Sequence, residues 1–452
     1  MQSKTTQLKS ASTITRRRFL VNGGLATGLL GGCLVTTRMA FAAPGTANQG
    51  RFVFVILRGA LDGLSAVPPY GDPAYAALRG QIAVPAPSRT LGDGKSGLKL
   101  DNTFALHPSL SFMHERWRER ELVVMHAVAT PYRERSHFDA QDVLESGGLR
   151  PHALATGWLN RSFGAAGGYA ANTSAARALQ SKELGVALGS NVPLVMRGPA
   201  QVASWSPSRL SNLSDDTLQR LADLYATDGL LSQRLADALA SDSIATAGQR
   251  EMREALADNN SMGVEAGEAV PAAGNGRRYN AARYVETVRA AASFLRRDDG
   301  PRVAVLETSG WDTHANEGGA EGPLAVRLAT LDAGLREFRI ALGPAWQNTA
   351  VLLVTEFGRT AAVNGTRGTD HGTGAAAFLV GGAVAGGRML ADWPGLAPAA
   401  LYEGRDVRPT LDLRAVIKGV LHEQLGVADR ALDSEVFPDS GAVRRVAGLI
   451  RA

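Results

Sequence analysis

The chain of 452 residues is 45% hydrophobic and 20% charged, so it is long and apolar enough to bury a large core and is not a disordered tail. Its formal net charge of +5 sits at the N-terminus: residues 1–42 hold six basic side chains (Lys4, Lys9, Arg16, Arg17, Arg18 and Arg38) and no acid, so the rest carries −1. With that balance and no basic run interleaved with aromatics, nothing points to a nucleic-acid partner.

Thr15 to Leu20 reads TRRRFL, a twin-arginine pattern, followed by an apolar, glycine-rich segment to about Val35 and a small-large-small cleavage signal at Ala40, Phe41 and Ala42. The expectation is a signal peptide over residues 1–42, export through the twin-arginine translocase, and a periplasmic or secreted product. The apolar run is too short and too rich in glycine for a spanning helix. Cys33, the one cysteine, follows Leu30, Gly31 and Gly32 in a tetrapeptide that resembles a lipoprotein processing site; only lipidation there would tie the chain to a membrane. Cleavage after Ala42 leaves no cysteine, hence no disulfide and no thiol chemistry.

RFVFVIL, residues 51–57, reads as a buried parallel-type strand running into a loop dense in glycine and proline. Ile82 to Leu110 has no clear period and reads as an irregular excursion. LSFMHERWRERE then predicts a helix and LVVMHAVA a second strand, which stops at TPYRERSHFDAQDVLES, where Ser136 can start a helix. LGVALG and VPLVMRG are short strand candidates. Residues 213–258 read helical, and NNSMGVEAGEAVPAAGNG reads as a flexible loop, which makes about 205–275 a mainly helical insertion.

Beyond it, Tyr284, Val285, Val288, Ala291 and Leu295 mark a helical face before the strand RVAVLETS. Leu324, Leu328, Leu331, Leu335, Phe338 and Leu342 mark the next, before AVLLVTE. AAAFLVGG is a further strand, and Leu413, Val416, Ile417, Val420 and Leu421 form a closing helix. Helices alternating with apolar strands predict an α/β fold with a mostly parallel sheet covered on both faces, and residues 43–452 fit one domain.

Polar groups collect where these strands stop, which is where open α/β sheets bind ligands. Asp312 and His314 lie two apart just past a strand, so in extended backbone a carboxylate and an imidazole point the same way and can share a metal ion; a turn-capping Asp beside a satisfied histidine is the alternative. Asp370 and His371 lie between glycines in GTDHG, either a second ligand pair or a plain turn. Glu356 ends an apolar strand and must be paired, exposed or bound to a cation. Arg359 either pairs with Glu356 or faces an anionic substrate. Ser136 is a nucleophile candidate at a helix start, with an ordinary N-cap as the alternative, and His137 a proton donor. Asp62 after the first strand is a further acid or only a turn residue.

The combination RGALDGL, RSHFDAQ, GWLNR, GWDTH, TEFGRT, GTDHG and GRD resembles the exported bacterial family catalogued as domain of unknown function 1501, over almost all of the chain after residue 42. That family is grouped with the alkaline phosphatase and sulfatase superfamily. The resemblance implies a doubly wound α/β/α core, metal ions above the carboxyl ends of the strands, and a hydroxyl or modified-cysteine nucleophile. By position, Asp62, Asp312, His314 and His371 resemble metal ligands, Asp312 and His314 at a tighter spacing than usual, and Ser136 stands where a nucleophile is expected. Superfamily enzymes commonly carry an Asp-His pair where this chain has Glu356 and Phe357, and a phenyl ring cannot coordinate. The expectation is therefore one ion held by Asp312, His314 and His371, with Asp62 and Glu356 contributing in part or through water and Asp370 a further metal-ligand candidate.

The function so implied is an exported metal-dependent hydrolase of phosphate or sulfate esters, acting on a small anionic ester or a sulfated glycan. The alternative is a non-catalytic periplasmic binding or assembly protein. Zinc suits a ligand set containing nitrogen; calcium, manganese or magnesium suits a more carboxylate-rich one.

Overall fold

Phe52 to Leu57 contains no polar residue, and a strand of that kind needs cover on both faces. It lies in β1, Arg51–Arg58, well inside a nine-stranded sheet. The computed structural model describes residues 50–88, 94–169, 185–189, 191–207, 215–225, 227–260, 275–298 and 300–451. The twin-arginine segment, the cleavage signal, Cys33 and most of the loop expected near 259–276 lie outside the described residues. No helix among the described residues is long and apolar enough to cross a membrane.

The other strands of the sheet are β2 Leu122–Ala129, β3 Gly185–Leu188, β4 Ala203–Trp205, β5 Val303–Ser309, β6 Thr349–Val354, β7 Ala375–Val380, β8 Arg388–Leu390 and β9 Leu411–Asp412. Their spatial order is β8-β2-β7-β6-β1-β5-β3-β4, and β9 continues the outer side of β2 past β8. All neighbours run parallel except β7, which is antiparallel to β6 and to β2. The reversal has a local cause: residues 355–374 contain no helix to carry the chain back across the sheet, so the strand after them runs the other way. The sheet is thus mostly parallel, as the alternating pattern predicts, with one inserted reversal.

The main helices are α1 Gly63–Ala66, α2 Tyr75–Arg79, α3 Ser111–Arg118, α4 His137–Ser146, α5 Trp158–Tyr169, α6 Asp215–Tyr225, α7 Gly229–Asn260, α8 Asn275–Leu295, α9 Pro323–Leu342 and α10 Leu413–Leu425. On one face of the sheet Phe52, Phe54 and Ile56 pack with Trp158 and Leu159 of α5 and with Val416, Ile417 and Val420 of α10. The Trp158 ring meets Phe54 edge-on at 5.0 Å, a geometry worth about 0.5–1.5 kcal/mol beyond area burial. On the other face α8 packs against α9 and β5. Helix α9 begins at Pro323, whose fixed φ suits a first helical residue, and buries Leu324, Leu328, Leu331, Leu335 and Phe338 on one stripe.

Two compact units divide the chain, one containing Ser208–Ile244 and the other Ala40–Pro207 with Ala245–Ala452. In the first, α6 and the beginning of α7 are helical; the second holds the sheet. Two local expectations change. VPLVMRG is not a strand but a 3-10 turn at Leu194–Met196, because the proline before it and the short apolar run leave no ladder to join. Within Ile82 to Leu110, Leu98–Lys99 and Ala105–Leu106 pair as a short antiparallel hairpin.

Candidate metal centre

Strands β1, β5 and β6 are adjacent and parallel, so their carboxyl ends share one rim, and β2, reversed twice through β7, points to the same rim. The loops that leave this rim carry Asp62, Asp312 with His314, Glu356 with Arg359, and Ser136 with His137; the β6–β7 loop adds Asp370 and His371. Glycine lets them meet. A Cβ on Gly59, at φ +118, would fall 2.7 Å from the Asp312 nitrogen, and one on Gly358 would fall 1.9 Å from the Gly374 oxygen. Such contacts exclude any side chain, so the backbone of TEFGR crosses that of GTDHGTG with Gly372 N donating to Gly358 O at 2.8 Å and Arg359 bridged to His371.

His371 is the hub. Its Nε2 lies 2.9 Å from His137 Nε2 and 2.9 Å from His314 Nε2. Asp312 Oδ1 stands 3.2 Å from His314 Nε2 and 3.5 Å from His371 Nε2, and its Oδ2 is 3.7 Å from His137 Nε2. Ligand atoms of His137, Asp312 and His371 all lie within 4.8 Å of one another. His314, Asp312 and Asp370 keep roughly half of their side-chain surface in solvent, so the group is open on that side.

The outer nitrogens decide what the inner ones can do. His137 Nδ1 is 2.8 Å from Glu356 Oε1, His371 Nδ1 is 3.0 Å from the Arg135 carbonyl, and His314 Nδ1 is 3.3 Å from Asp370 Oδ1. A carboxylate or carbonyl oxygen only accepts, so each Nδ1 carries the hydrogen and each neutral ring presents a bare Nε2 inward. Lone pairs opposed at 2.9 Å, beside a carboxylate, repel unless a proton or a metal cation stands between them. Donors around zinc at 2.0–2.1 Å would be separated by roughly 3.3 Å, close to the 2.9–3.7 Å between the ligand atoms of His137, Asp312 and His371, with His314 beside the last two. Carboxylate or carbonyl partners behind ligand histidines are the usual device for fixing their tautomer. The residues present therefore fit a divalent ion.

Charge is arranged to match. Burial pushes the Glu356 carboxyl up, but hydrogen bonds from His137, Gln141 and the Gly59 nitrogen outweigh it and hold the group below its usual range. The hydrogen bond to Glu356 raises His137 in turn. Burial lowers His371, and positive charge on Arg359, or on His137 when that ring is protonated, lowers it further. Burial opposes ionisation of Asp312, yet the Arg359 guanidinium, with Nη1 at 2.6 Å, draws it below the ordinary carboxylate range.

Several predicted site residues stand elsewhere. Asp62 is fully buried as the N-cap of α1: its Oδ1 accepts from Leu64 N and Ser65 N, and its Oδ2 accepts from Arg79, with Thr369 Oγ1 3.3 Å away. A carboxylate so occupied has no lone pair aimed at the cluster. Glu356 acts behind His137 and Asp370 behind His314, each through a ring instead of as a direct ligand. Arg359 is buried, donating to Asp312 and to both Oγ1 and the carbonyl of Thr369, so it steadies a candidate ligand and does not face substrate. Phe357 is buried against the rings of His137 and His371, centroids 4.9 and 5.1 Å away, and walls that side of the cluster with a ring that cannot coordinate. Ser136 takes the N-cap position of α4 with extended backbone, but its side chain makes no capping bond.

Sequence reasoning names His137 as a proton donor, whereas the structure sets it within the cluster beside His371, and it misses what lies under the site. Glu317, buried, accepts from Ser65 Oγ at 2.9 Å, Thr369 Oγ1 at 2.9 Å and Thr313 Oγ1 at 3.0 Å, with Arg79 Nη2 at 3.4 Å. This second carboxyl group beside Asp62 and Arg79 tethers both candidate-ligand loops, 312–317 and 368–371, from below. Arg79 and Glu317 carry no local signal, since each reads as an ordinary charged residue near a helix end or in a polar loop.

Fold and site together define an α/β protein with a mostly parallel sheet and a histidine-carboxylate cluster at the carboxyl rim. Residues 49–438 match the model of the family described as "Protein of unknown function (DUF1501)", and the chain belongs to that family. No curated protein matches. A solved structure titled "Crystal structure of Ps i-CgsB in complex with k-i-k-neocarrahexaose" aligns over 88% of this chain and 77% of that one, at 9% identity and a TM-score of 0.38.

Proposed function

We propose that the protein is an exported, metal-dependent hydrolase of phosphate or sulfate esters with an alkaline-phosphatase-like core, carrying one divalent ion held by His137, His371, Asp312 and His314. The observation that carries this reading is that the Nε2 atoms of His137 and His314 each lie 2.9 Å from that of His371 while every Nδ1 is engaged from outside. Zinc is the ion proposed, because imidazole nitrogens make up most of the donor set. A bound divalent ion supplies Lewis-acid neutralisation of charge on the ester oxygens.

The chain's own groups divide the remaining work. Asp312, shared between Arg359 and the ion site, sets the position of the ligand loop. Ser136, whose hydroxyl is not used as a cap, stands next to His137 at the start of α4 and is the proposed nucleophile; the first N–H groups of the helix can hold an anionic oxygen beside it. Phe357 excludes water from the inner side of both rings. Export through the twin-arginine route is part of the same proposal and rests on the leader sequence.

Elemental analysis of purified protein together with turnover of aryl phosphate and aryl sulfate tests it. One zinc per chain, turnover abolished by chelation and by His371→Ala, and a drop of at least 100-fold in Ser136→Ala support the reading. Zinc binding with no ester turnover supports the second reading, a non-catalytic binding protein, which the burial of Arg359 favours because it removes the expected contact to an anion. A chain that holds no divalent metal overturns the metal centre.

A further inference from the structure

The Gly404–Arg405–Asp406 motif has no role in the site as described, yet its buried carboxylate lies one step behind His371. Asp406 is fully buried, and its backbone is pinned by bridges to Thr360 and Tyr402. Its Oδ2 accepts from Arg135 Nε at 2.9 Å and lies 2.8 Å from Arg135 Nη2; its Oδ1 faces Arg405 Nη1 at 3.3 Å without hydrogen-bond geometry. A buried carboxylate thus anchors two guanidinium groups, and both reach the same histidine. Arg405 Nη2 donates to the His371 main-chain carbonyl at 2.9 Å, and the Arg135 carbonyl accepts the His371 Nδ1 hydrogen at 3.0 Å.

Arg135 holds its carbonyl there at φ +62, a conformation a long side chain does not adopt without support. The support is the Asp406 pair, with Glu403 adding an outer contact to Nη2 at 2.6 Å. Two residues further on, the same turn delivers His137. The turn that fixes the His371 tautomer therefore also sets the spacing between the His137 and His371 rings.

We infer that the Arg135–Asp406 pair is a positioning clamp for the metal centre, presetting the Nδ1–H tautomer of His371 and the gap between His371 and His137. Arg135 and Asp406 are positioning residues, not ligands, and the inference rests on the metal reading proposed above. Without the clamp the Arg135 peptide relaxes toward ordinary φ, its carbonyl leaves Nδ1, and the His371 ring becomes free to present either nitrogen.

The test measures zinc affinity by competition with a chromophoric chelator, and the tautomer of selectively 15N-labelled histidines in metal-free protein. Wild type, Asp406→Asn and Arg135→Met are compared with Arg451→Met, a surface control. The clamp predicts a 10- to 100-fold loss of zinc affinity in both clamp variants, the size seen when a partner behind a ligand histidine is removed. It also predicts that His371 changes from one tautomer to a mixture, while the control behaves as wild type. A merely structural role would lower melting temperature and leave both readouts of the folded fraction unmoved. Should Asp406→Asn fail to fold, Arg135→Met, altered at a partly exposed position, carries the same expectation. Wild-type affinity in folded variants overturns the clamp alone; a wild type that binds no zinc overturns the metal reading and this one with it.

Discussion

Glu356 Oε1 lies 2.8 Å from Nδ1 of His137, so the carboxylate that ends the central strand β6 acts on the cluster through a ring and not by contact. The same oxygen accepts from the Gly59 nitrogen at 2.8 Å and from Gln141 at 3.1 Å, which ties the ends of β6 and β1 to the first turn of α4. One buried group thereby sets where three elements meet.

Glu356→Gln is expected to keep the fold, because the amide oxygen can still accept from Gly59 and the side chain is isosteric. It removes the charge that makes the His137 Nε2 a strong donor. Metal affinity should fall by about 10–100-fold, read by chelator competition at neutral pH. Unchanged affinity would mean that His137 is not a ligand and that the dyad serves some other purpose.

How far the sequence reached follows from the same residues. Apolar runs of six to eight residues and leucine stripes at helical spacing locate β1, β2, β6, α9 and α10, because burial dictates those patterns locally. Asp312, His314 and His371 are legible as a cluster because each follows a strand at the expected rim. The distinction between a candidate ligand and the group behind it is not legible, since Glu356 and Asp312 are both acids at strand ends and differ only in which way a loop turns. Asp62 misleads for a different reason: it pairs with Arg79, 17 positions on, and no periodic pattern announces a buried ion pair.

Removing that partner should be costly. In Arg79→Met the Asp62 carboxylate loses its one counter-charge, and the Arg79 side chain is itself fully buried, so no water is at hand to replace it. Breaking a buried pair from one side costs about 3–5 kcal/mol. Denaturant unfolding followed by tryptophan fluorescence should show a loss of that size, whereas a loss below about 1 kcal/mol would mean the interior is wetter than its contacts imply.

The pair also sets a pH signature. Burial and the neighbouring Asp62 anion push the Glu317 carboxyl up to about 8, while for Asp62 burial is outweighed by Arg79, which holds it low. In the unfolded chain Glu317 titrates near 4.5, so between about 4.5 and 8 the folded state binds more protons at this position than the unfolded state. Stability contributed here is therefore complete below 4.5, falls as pH rises toward 8, and levels off above it. Glu317→Gln, neutral throughout, should flatten that slope, so the melting temperature of the variant gains on wild type as pH is raised from 5 to 8. Parallel curves over that range would show that Glu317 is ionised in the fold.

Gly59 separates backbone strain from displacement of a ligand loop. At φ +118 any other residue is strained, by about 1–3 kcal/mol, and its Cβ would also stand 2.7 Å from the Asp312 nitrogen. Main chain cannot swing aside as a flexible side chain can, so relief has to come from moving the 311–314 loop, and with it Asp312 and His314. Gly343 supplies the comparison: it sits at φ +54, and a Cβ there would meet nothing within 4 Å. Gly343→Ala should lower stability and leave metal affinity alone, whereas Gly59→Ala should lower both. Chelator competition and denaturant unfolding on the two variants check this, and equal metal affinity in both would show that the loop carrying Asp312 tolerates a shift without loss of the site.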